Sequence, residues 1–327
     1  MQRWLITGGV GFIGHHLSRA LLARGDAVSV LDDFSEAPYP ARLKRRHAAA
    51  LAREFGSRVE IAEGCVTDRA LAARLAAGTS GTIHLAGLAG VRPSFLDPAR
   101  YCLVNVEGTA IQLEAAQRAG SPLFVFASSS SVYGNSTPLP AHEDAPAIVP
   151  ESPYAASKRS AELVVSALAR RTPEMRIAMM RFFTVYGPWQ RPEMAITSFL
   201  RNVLAGQPIT VFGDGSMRRD FTHVDDIIGG LLATIERCPR GVRAYNLGSG
   251  APVTLTELVT AMGRAAGRTI EVSRAPVPLG DVDATFADTS RARMELDWRP
   301  GVTLDAGLAT VVDWLLTSET TEAGREG

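Results

Sequence analysis

The 327-residue chain has few cysteines, no long apolar run and no excess of either charge. Its three cysteines lack the number and spacing of a disulfide framework or a zinc site, so we expect free thiols in a reducing cytoplasm. The 34 basic and 34 acidic residues cancel, and no basic stripe occurs, which argues against nucleic acid or an anionic membrane surface as partner. The apolar runs are strand-length, so no segment is predicted to span a bilayer.

Lysine is also scarce, because only Lys44 and Lys158 occur among the 34 basic residues. Lys158 follows Tyr154 by four residues, the spacing that places two side chains on one face of a helix. An ammonium near a phenol favours the phenolate, so Tyr154 is predicted to act as a base well below its reference pKa of about 10. The compact ammonium can also donate to a ribose hydroxyl, which makes arginine a poor substitute.

A glycine-rich turn follows the first apolar run. Gly8, Gly11 and Gly14 are spaced three apart, and Phe12 and Ile13 open a helical pattern after them. The first glycine permits a tight turn, the second lets backbone approach a pyrophosphate, and the third lets helix pack on strand. The pattern therefore predicts a dinucleotide site, and the alternative is a glycine turn without a ligand.

Two carboxylates end the second predicted strand. Asp32 and Asp33 follow the apolar residues 27–31, and Asp32 comes 18 residues after Gly14. A carboxylate at this distance suits the acid that accepts the adenosine ribose hydroxyls, and it would repel a 2′-phosphate. The sequence therefore favours NAD over NADP.

With both motifs in view, the chain resembles the extended short-chain dehydrogenase/reductase family, in its nucleotide-sugar epimerase and dehydratase branch. The resemblance runs from about residue 3 to about residue 317. It implies NAD as cofactor. It further implies cofactor contacts from residues after the third and fourth strands and from the next helix: Asp68, Leu85, Ala86, Gly87 and Asn105.

Alternating strand and helix patterns predict an α/β fold, a doubly wound parallel Rossmann sheet with a smaller, mostly C-terminal substrate-binding lobe. We expect residues 1–187 to form the NAD-binding domain, 188–317 the main part of the lobe, and 318–327 a frayed tail. The Ala/Arg-rich insertion at residues 39–54 is interpreted as a solvated surface helix, with a partner site as the alternative.

The segments near 100–119 and 153–171 are predicted helices with apolar faces. Members of the family pair such faces into a two-fold bundle, so the resemblance implies a homodimer. Further helices are predicted in the C-terminal part, near 194–205, 225–237, 254–266 and 305–317.

Four serines, 128–131, follow a strand at what should be the carboxyl edge of the sheet. The resemblance aligns Ser129 with the residue that hydrogen-bonds the sugar hydroxyl being oxidised, next to Tyr154. Ser128 and Ser130 remain alternatives for that role, and a polar turn is the non-functional reading.

The same serines bear on the reaction type. Dehydratases of this branch carry Asp-Glu at the positions of Ser130 and Ser131, and UDP-xylose-forming decarboxylases carry Glu at the second. This chain has hydroxyls at both. The resemblance then implies 4-epimerisation, in which Tyr154 takes the 4-hydroxyl proton and the 4-keto sugar turns before the hydride returns, so that NAD ends as it began.

The stretch 181–195 is similar to the signature of UDP-glucuronate 4-epimerases. A Thr184 hydroxyl and the fork of Arg191 are predicted to hold the C6 carboxylate, with Arg92 as a second cation. Diphosphate binding or a surface ion pair remains the alternative for Arg191. A 4-keto uronate is a β-keto acid, so an epimerase must hold the carboxylate out of alignment with the carbonyl.

The nucleotide half of a UDP-sugar is predicted to bind the C-terminal lobe. By resemblance, Arg219 clamps the diphosphate, Val211 flanks the uracil and Asp281 contacts the ribose. Leu279 departs from the family, where many relatives carry a polar or basic residue before the glycine.

Other readings stay open. The same scaffold serves 4-epimerases of neutral UDP-hexoses, and it also serves nucleotide-sugar 4-ketoreductases, dehydratases and decarboxylases. A non-catalytic NAD-binding protein is the remote alternative. His223, Asp225 and Asp226 have the composition of a metal cluster, but we interpret the acids as a helix N-terminal pair and expect no metal.

Overall fold

A computed structural model describes residues 1–36, 40–147, 149–278 and 280–323 of the chain. The start of the predicted insertion at residue 39, Leu279, and residues 324–327 of the predicted tail therefore lie outside the described residues. No helix within the described ranges is both long and apolar enough to cross a membrane.

The strands, in chain order, are β1 Arg3–Thr7, β2 Ala27–Asp32, β3 Val59–Glu63, β4 Gly81–His84, β5 Leu123–Ser129, β6 Arg176–Phe182, β7 Thr184–Tyr186, β8 Ile209–Phe212, β9 Arg218–Arg219, β10 Phe221–His223, β11 Gly241–Leu247, β12 Val253–Thr254 and β13 Val272–Ala275. Among the described residues, seven of them form one parallel sheet in the order β11-β6-β5-β4-β1-β2-β3. The direction of winding reverses between β1 and β4, where doubly wound sheets bind their ligands. The predicted fold class is confirmed.

The helices, in chain order, are α1 Phe12–Ala23, α2 Ala41–Phe55, α3 Arg69–Ala76, α4 Val91–Leu96, α5 Pro98–Cys102, α6 Gly108–Arg118, α7 Pro153–Leu168, α8 Ala195–Leu204, α9 Val224–Arg237, α10 Leu255–Ala266, α11 Ser290–Leu296 and α12 Leu304–Ala323. The predicted helix 100–119 is α5 and α6, joined by a π-helical turn at Leu103–Glu107. The predicted helix 305–317 is longer than expected, because α12 continues to Ala323.

Helix α2 corrects the interpretation of the insertion as a solvated helix. Ala41, Lys44, His47 and Leu51 recur at helical spacing and are all buried against the Rossmann domain. Leu51 belongs to the main hydrophobic core. The arginines that suggested a solvated helix occupy only the opposite face, so composition concealed a buried stripe.

The core of the Rossmann domain lies between the sheet and its covering helices, and β5 runs from this core to the site. Every residue of β5 is buried, as expected for an interior strand of a parallel sheet. The strand therefore carries Ser128 and Ser129 from the core to the carboxyl edge on a rigid support.

A second core forms in the C-terminal lobe, where α8, α10 and α12 pack together. Leu200, Leu258 and Leu308 are fully buried there. The chain leaves the sheet after β6, builds α8 to α9, and returns to it as edge strand β11. Segments on both sides of β11 therefore build the lobe, since α8 precedes this strand and α10 and α12 follow it.

Candidate active site

The glycine turn is shaped for close approach of a ligand to backbone. Gly8 has a φ of +67°, and a Cβ there would lie 2.8 Å from the Ala86 nitrogen. A Cβ on Gly14 would overlap the Gly8 carbonyl oxygen. Helix α1 begins after Gly11 without a side-chain cap, which leaves its first N–H groups available to an anion. Together with Phe12 and Ile13, which start α1, these residues fit the pyrophosphate of a dinucleotide.

Asp32 ends β2 beside this turn, and its carboxylate is buried. Burial raises the pKa of Asp32, and the positive charge of Lys44 opposes that rise. The Lys44 ammonium lies 3.4 Å from Asp32 Oδ1 and 3.5 Å from Asp33 Oδ1. Lys44 was not among the predicted site residues, although its being one of only two lysines was a usable signal. The arrangement suits an acid that must stay charged to receive ribose hydroxyls.

The loop after β4 is held in place from the side of the π-helical turn. Asn105 Oδ1 accepts from the Leu88 nitrogen at 2.8 Å, and its Nδ2 donates to the Ser157 hydroxyl at 2.9 Å. Leu85 and Ala86 donate their backbone N–H groups to Thr7. Asn105 therefore braces the loop at Leu88, whereas Thr7 holds Leu85 and Ala86. The predicted cofactor contacts of Leu85, Ala86, Gly87 and Asn105 stay predictions.

Asp68 lies further along the same edge, after β3. It is exposed, and its carboxylate accepts from the Leu71 nitrogen at 3.0 Å as the N-cap of α3. The predicted role of Asp68, a cofactor contact, stays a prediction.

Tyr154 and Ser129 meet at the carboxyl edge, where α7 begins against the end of β5. A hydrogen bond from Ser129 lowers the pKa of Tyr154, but burial raises it more, so the net direction is upward. The expectation of a Tyr154 pKa below its ordinary value was therefore wrong for the chain by itself. Spacing on a helix reveals which groups are neighbours, whereas the cost of burying a phenolate depends on the surrounding fold.

Lys158 lies one helical turn beyond Tyr154 and is buried. Its Nζ donates to the Ala127 carbonyl oxygen at 2.9 Å and lies 5.1 Å from the centre of the Phe126 ring. A Cβ on Gly87 would lie 3.0 Å from Nζ, so the loop after β4 closes tightly over the amine. Burial lowers the pKa of Lys158 to about 8.

The structure distinguishes the four serines. Ser128 Oγ donates to Glu162 Oε1 at 2.6 Å inside the protein. Ser129 Oγ lies 3.1 Å from Ser131 Oγ and is the hydroxyl that meets Tyr154. Ser130 begins a 3-10 turn that runs to Tyr133. Ser129 is therefore the serine best placed for a substrate hydroxyl, and Ser128 is occupied elsewhere.

Arg191 lies close enough to Tyr154 and Tyr101 to affect their ionisation, because its positive charge acts to lower the pKa of both phenols. Its guanidinium also forms an ion pair with Glu193 at 3.0 Å. Tyr101 packs edge-on against Tyr154, with ring centroids 6.2 Å apart. Thr184 starts β7, and its nitrogen donates to the Asp220 carbonyl oxygen.

Arg219 and Val211, predicted for the nucleotide, and Arg92, predicted as a second cation for the carboxylate, lie in different surroundings. Arg219 lies close enough to Asp281 for that carboxylate to raise its pKa, although burial of Arg219 gives a net lowering. Arg92 on α4 stacks over the Phe212 ring at 4.5 Å, so a residue of the Rossmann domain contacts the lobe there. Val211 is buried in an apolar cluster, so its side chain is not brought to this surface.

The acids near His223 belong to the start of α9. His223 Nδ1 accepts from the Asp225 nitrogen at 3.3 Å. The Asp226 carboxylate accepts from the nitrogens of Gly301 and Val302. These contacts agree with an acid pair at a helix N-terminus.

The chain is similar to known proteins over most of its length. Residues 4–248 match the family described as the NAD dependent epimerase/dehydratase family. UDP-glucuronate 4-epimerase 5 of Arabidopsis thaliana is 38% identical over 331 residues, covering 95% of this chain and 75% of that protein. The UDP-glucuronate 4-epimerase of Thermodesulfobacterium geofontis (strain OPF15) is 36% identical over 315 residues, 96% of each chain. A solved UDP-glucuronic acid 4-epimerase from Bacillus cereus, in complex with UDP-glucuronic acid and NAD, matches with a TM-score of 0.89 and 32% identity, over 97% of this chain and 99% of that one.

Proposed function

Because the chain belongs to the NAD dependent epimerase/dehydratase family, we propose that it interconverts UDP-glucuronate and UDP-galacturonate by epimerisation at C4. The observation that carries this proposal is the meeting of Ser129 and Tyr154 at the carboxyl edge, with Lys158 behind them and Arg191 beside them. In this proposal residues 1–187 hold NAD and the catalytic groups, and residues 188–317 hold most of the nucleotide.

Tyr154 is the proposed general base. Its phenolic oxygen takes the proton of the 4-hydroxyl while Ser129 hydrogen-bonds the same substrate oxygen, and the proton returns to the 4-keto oxygen at the end. Bound NAD supplies the hydride acceptor for C4 and, being recycled, the hydride donor for the return. Since burial raises the pKa of Tyr154 in the chain alone, the hydrogen bond from Ser129 and the charge of Arg191 serve to favour the phenolate.

The proposed site must also prevent loss of the carboxylate from the 4-keto uronate. Ser130 and Ser131 provide hydroxyls where an acid would promote dehydration or decarboxylation. Arg191 is proposed to exchange its Glu193 partner for the substrate carboxylate and, with Thr184, to hold that group out of alignment with the carbonyl. The exposed Glu193 thereby keeps the guanidinium in place before substrate binds.

The nucleotide is proposed to lie between the two domains. Arg219 is the candidate diphosphate ligand and Asp281 the candidate ribose contact. Arg92 stays the second candidate cation for the substrate carboxylate, and it stacks on Phe212 of the lobe.

Incubation with UDP-glucuronate and no added cofactor tests the function, with UDP-galacturonate and UDP-pentose followed by chromatography. We expect UDP-galacturonate alone. A UDP-pentose product would contradict the proposed protection of the carboxylate. No reaction with UDP-glucuronate, together with turnover of UDP-glucose, would favour the neutral UDP-hexose alternative.

Arg191→Ala tests the carboxylate assignment. The change should raise the KM for UDP-glucuronate by roughly 10- to 100-fold, the usual worth of hydrogen bonds to a charged group, and leave that for UDP-glucose much less affected. Glu193→Ala is the matched control, because it frees Arg191 without removing it. Equal losses on both sugars would indicate that Arg191 binds the diphosphate instead.

A cytoplasmic homodimer completes the proposal. Leu103 and Leu163 are 48% and 56% exposed on the two helical segments expected to pair, and the three cysteines are free thiols. Leu163→Arg should convert the dimer to a monomer in light-scattering measurements, whereas Met294→Arg, on the similarly exposed α11, should not. A parent protein that is monomeric would refute the dimer.

A further inference from the structure

Glu162 extends the catalytic stripe of α7 by one more turn. Tyr154, Lys158 and Glu162 are spaced four residues apart, so their side chains share one face of the helix. Glu162 is 1% exposed, although glutamate is rarely buried without partners. The proposed reaction assigns it no role.

The carboxylate of Glu162 receives donors on both oxygens. Arg181 Nε and Nη2 donate to Oε1 and Oε2 at 2.8 and 2.9 Å, and Ser128 Oγ donates to Oε1 at 2.6 Å. Arg159 Nη1 adds a bond to Oε2 at 3.0 Å. Burial opposes ionisation of Glu162, but these hydrogen bonds and the Arg181 charge hold its pKa below the ordinary value. The group is therefore a fixed negative charge inside the protein.

Ala127 and Ser128, which are consecutive in β5, are hydrogen-bonded to two residues of α7. Lys158 Nζ donates to the Ala127 carbonyl oxygen, and Ser128 Oγ donates to Glu162. The next residue of β5 is Ser129, which meets Tyr154 one turn earlier on the same helix. The contacts of Lys158 and Glu162 thus fix the position of the Ser129 hydroxyl relative to the Tyr154 phenol.

Among the described residues, Glu162 is the group that acts on Lys158 as a negative charge. His84 of β4 is buried and neutral, with a pKa lowered to about 3 by burial and by Lys158 itself. Tyr154 is protonated in the chain alone, and Arg181 of β6 is cationic. Glu162 is the carboxylate whose charge opposes the lowering of the Lys158 pKa.

We propose that Glu162 is a positioning residue for the Ser129–Tyr154–Lys158 site, which clamps the end of β5 to α7 and supplies the negative charge beside the buried Lys158 ammonium. The expected effect on turnover rests on the proposed function, because that function requires a protonated Lys158. The expected effect on the titration of Lys158 does not rest on it.

The scarcity of lysine makes a direct test possible. Protein labelled with ¹³C at lysine Cε gives only two signals, Lys44 and Lys158, and Lys44→Arg assigns them. Titration by NMR should show Lys158 ionising near pH 8 in the parent and roughly 1 pH unit lower in Glu162→Gln, since removal of a nearby opposite charge disfavours the ammonium. An unchanged Lys158 titration in that variant would overturn the charge role.

Two further variants separate charge from geometry and from misfolding. Ser128→Ala removes the hydroxyl bond but keeps the charge, so Lys158 should titrate as in the parent. A shift as large as that of Glu162→Gln would contradict the proposal. If Glu162→Gln does not fold, because Arg181 is left buried without its partner, Glu162→Gln/Arg181→Met removes both charged groups and should still show the lowered titration.

The activity measurement is kept apart from the NMR titration. In turnover of UDP-glucuronate, the alkaline limb of kcat should move to lower pH in Glu162→Gln by the same amount as the NMR titration. A lowered Lys158 titration in a parent protein that does not act on UDP-glucuronate would leave the positioning of the amine supported and the proposed function refuted. A shifted titration with an unshifted alkaline limb in an active enzyme would overturn the link to catalysis.

Discussion

The two lysines of this protein lie at the carboxyl ends of two different strands, in contrasting surroundings. Lys44 on α2 faces Asp32 and Asp33 at the end of β2, with ammonium-to-carboxylate distances of 3.4 and 3.5 Å. Lys158 on α7 faces the end of β5, where its ammonium meets a carbonyl oxygen and the face of Phe126. Both side chains are buried.

In the proposed function, Lys44 supports the binding of the cofactor and Lys158 supports proton chemistry. The Lys44 ammonium forms ion pairs with Asp32 and Asp33, the two carboxylates proposed to receive a ribose. An amine that is buried with weaker compensation titrates within the working pH range, with a pKa lowered to about 8. One residue type thus serves two purposes because the surrounding charges differ.

The largest expected effect is on turnover at the β5–α7 end. Tyr154→Phe removes the proposed base, and it should lower kcat by about 10³-fold, within the usual range for loss of a general base, while NAD is retained. Released NAD is measured on the denatured protein, and turnover by product formation. Tyr245→Phe, which removes a buried hydroxyl bonded to Glu295, is the matched control and should turn over normally. Loss of NAD together with turnover in Tyr154→Phe would indicate a collapsed site.

The next effect is on stability, which loss of Lys44 should lower and loss of Lys158 should not. Lys44→Met leaves the Asp32 carboxylate buried without its cation, which should lower the free energy of unfolding by about 3 kcal/mol at pH 7.5. Because burial raises the pKa of Asp32, the loss should shrink as the pH falls through that pKa and the acid becomes neutral. Urea denaturation at pH 7.5 and at lower pH measures both.

Lys158→Met should not lower stability at pH 7. The folded-state pKa of Lys158 is about 8, below that of the unfolded chain, so the unfolded state binds more protons between pH 8 and its reference value of about 10.5. The free energy of unfolding of the parent should accordingly rise over that window, and the rise should be absent in Lys158→Met. A destabilisation equal to that of Lys44→Met would remove the contrast between the two ends.

The smallest effect is on the pH profile. Turnover that needs the Lys158 ammonium should decline above about pH 8, by up to tenfold per pH unit, as that group loses its proton. Lys44→Arg should keep the same alkaline limb, since the limb belongs to the other lysine. A shift of the alkaline limb in Lys44→Arg would indicate that the limb reports the ionisation of Lys44 and not that of Lys158.

The fold was predictable because its signals are local and periodic. The glycine turn at Gly8, the alternation of strands and helices, and the Tyr154–Lys158 spacing each follow from chain-local rules. Because the carboxyl ends of parallel strands meet at one edge of the sheet, the glycine turn and Ser129 lie at the same edge.

What the sequence left open depends on burial. The Arg-rich composition of α2 concealed the stripe that buries Lys44, and spacing alone could not give the upward direction of the Tyr154 pKa. Ser128 and Ser129 are adjacent and chemically identical, and only the position of Glu162 on the packed helix α7 distinguishes their roles. A buried glutamate at the spacing that continues from Tyr154 and Lys158 was the signal for that contact.

Transfer of the C4 hydrogen tests the central claim most directly. UDP-glucuronate carrying deuterium at C4 is incubated with the protein as purified, and the UDP-galacturonate is examined by mass spectrometry and NMR. Oxidation and reduction at C4 with recycled NAD predict that the deuterium stays at C4 of the product. Loss of the deuterium to water, or formation of UDP-galacturonate with solvent hydrogen at C4, would contradict the account.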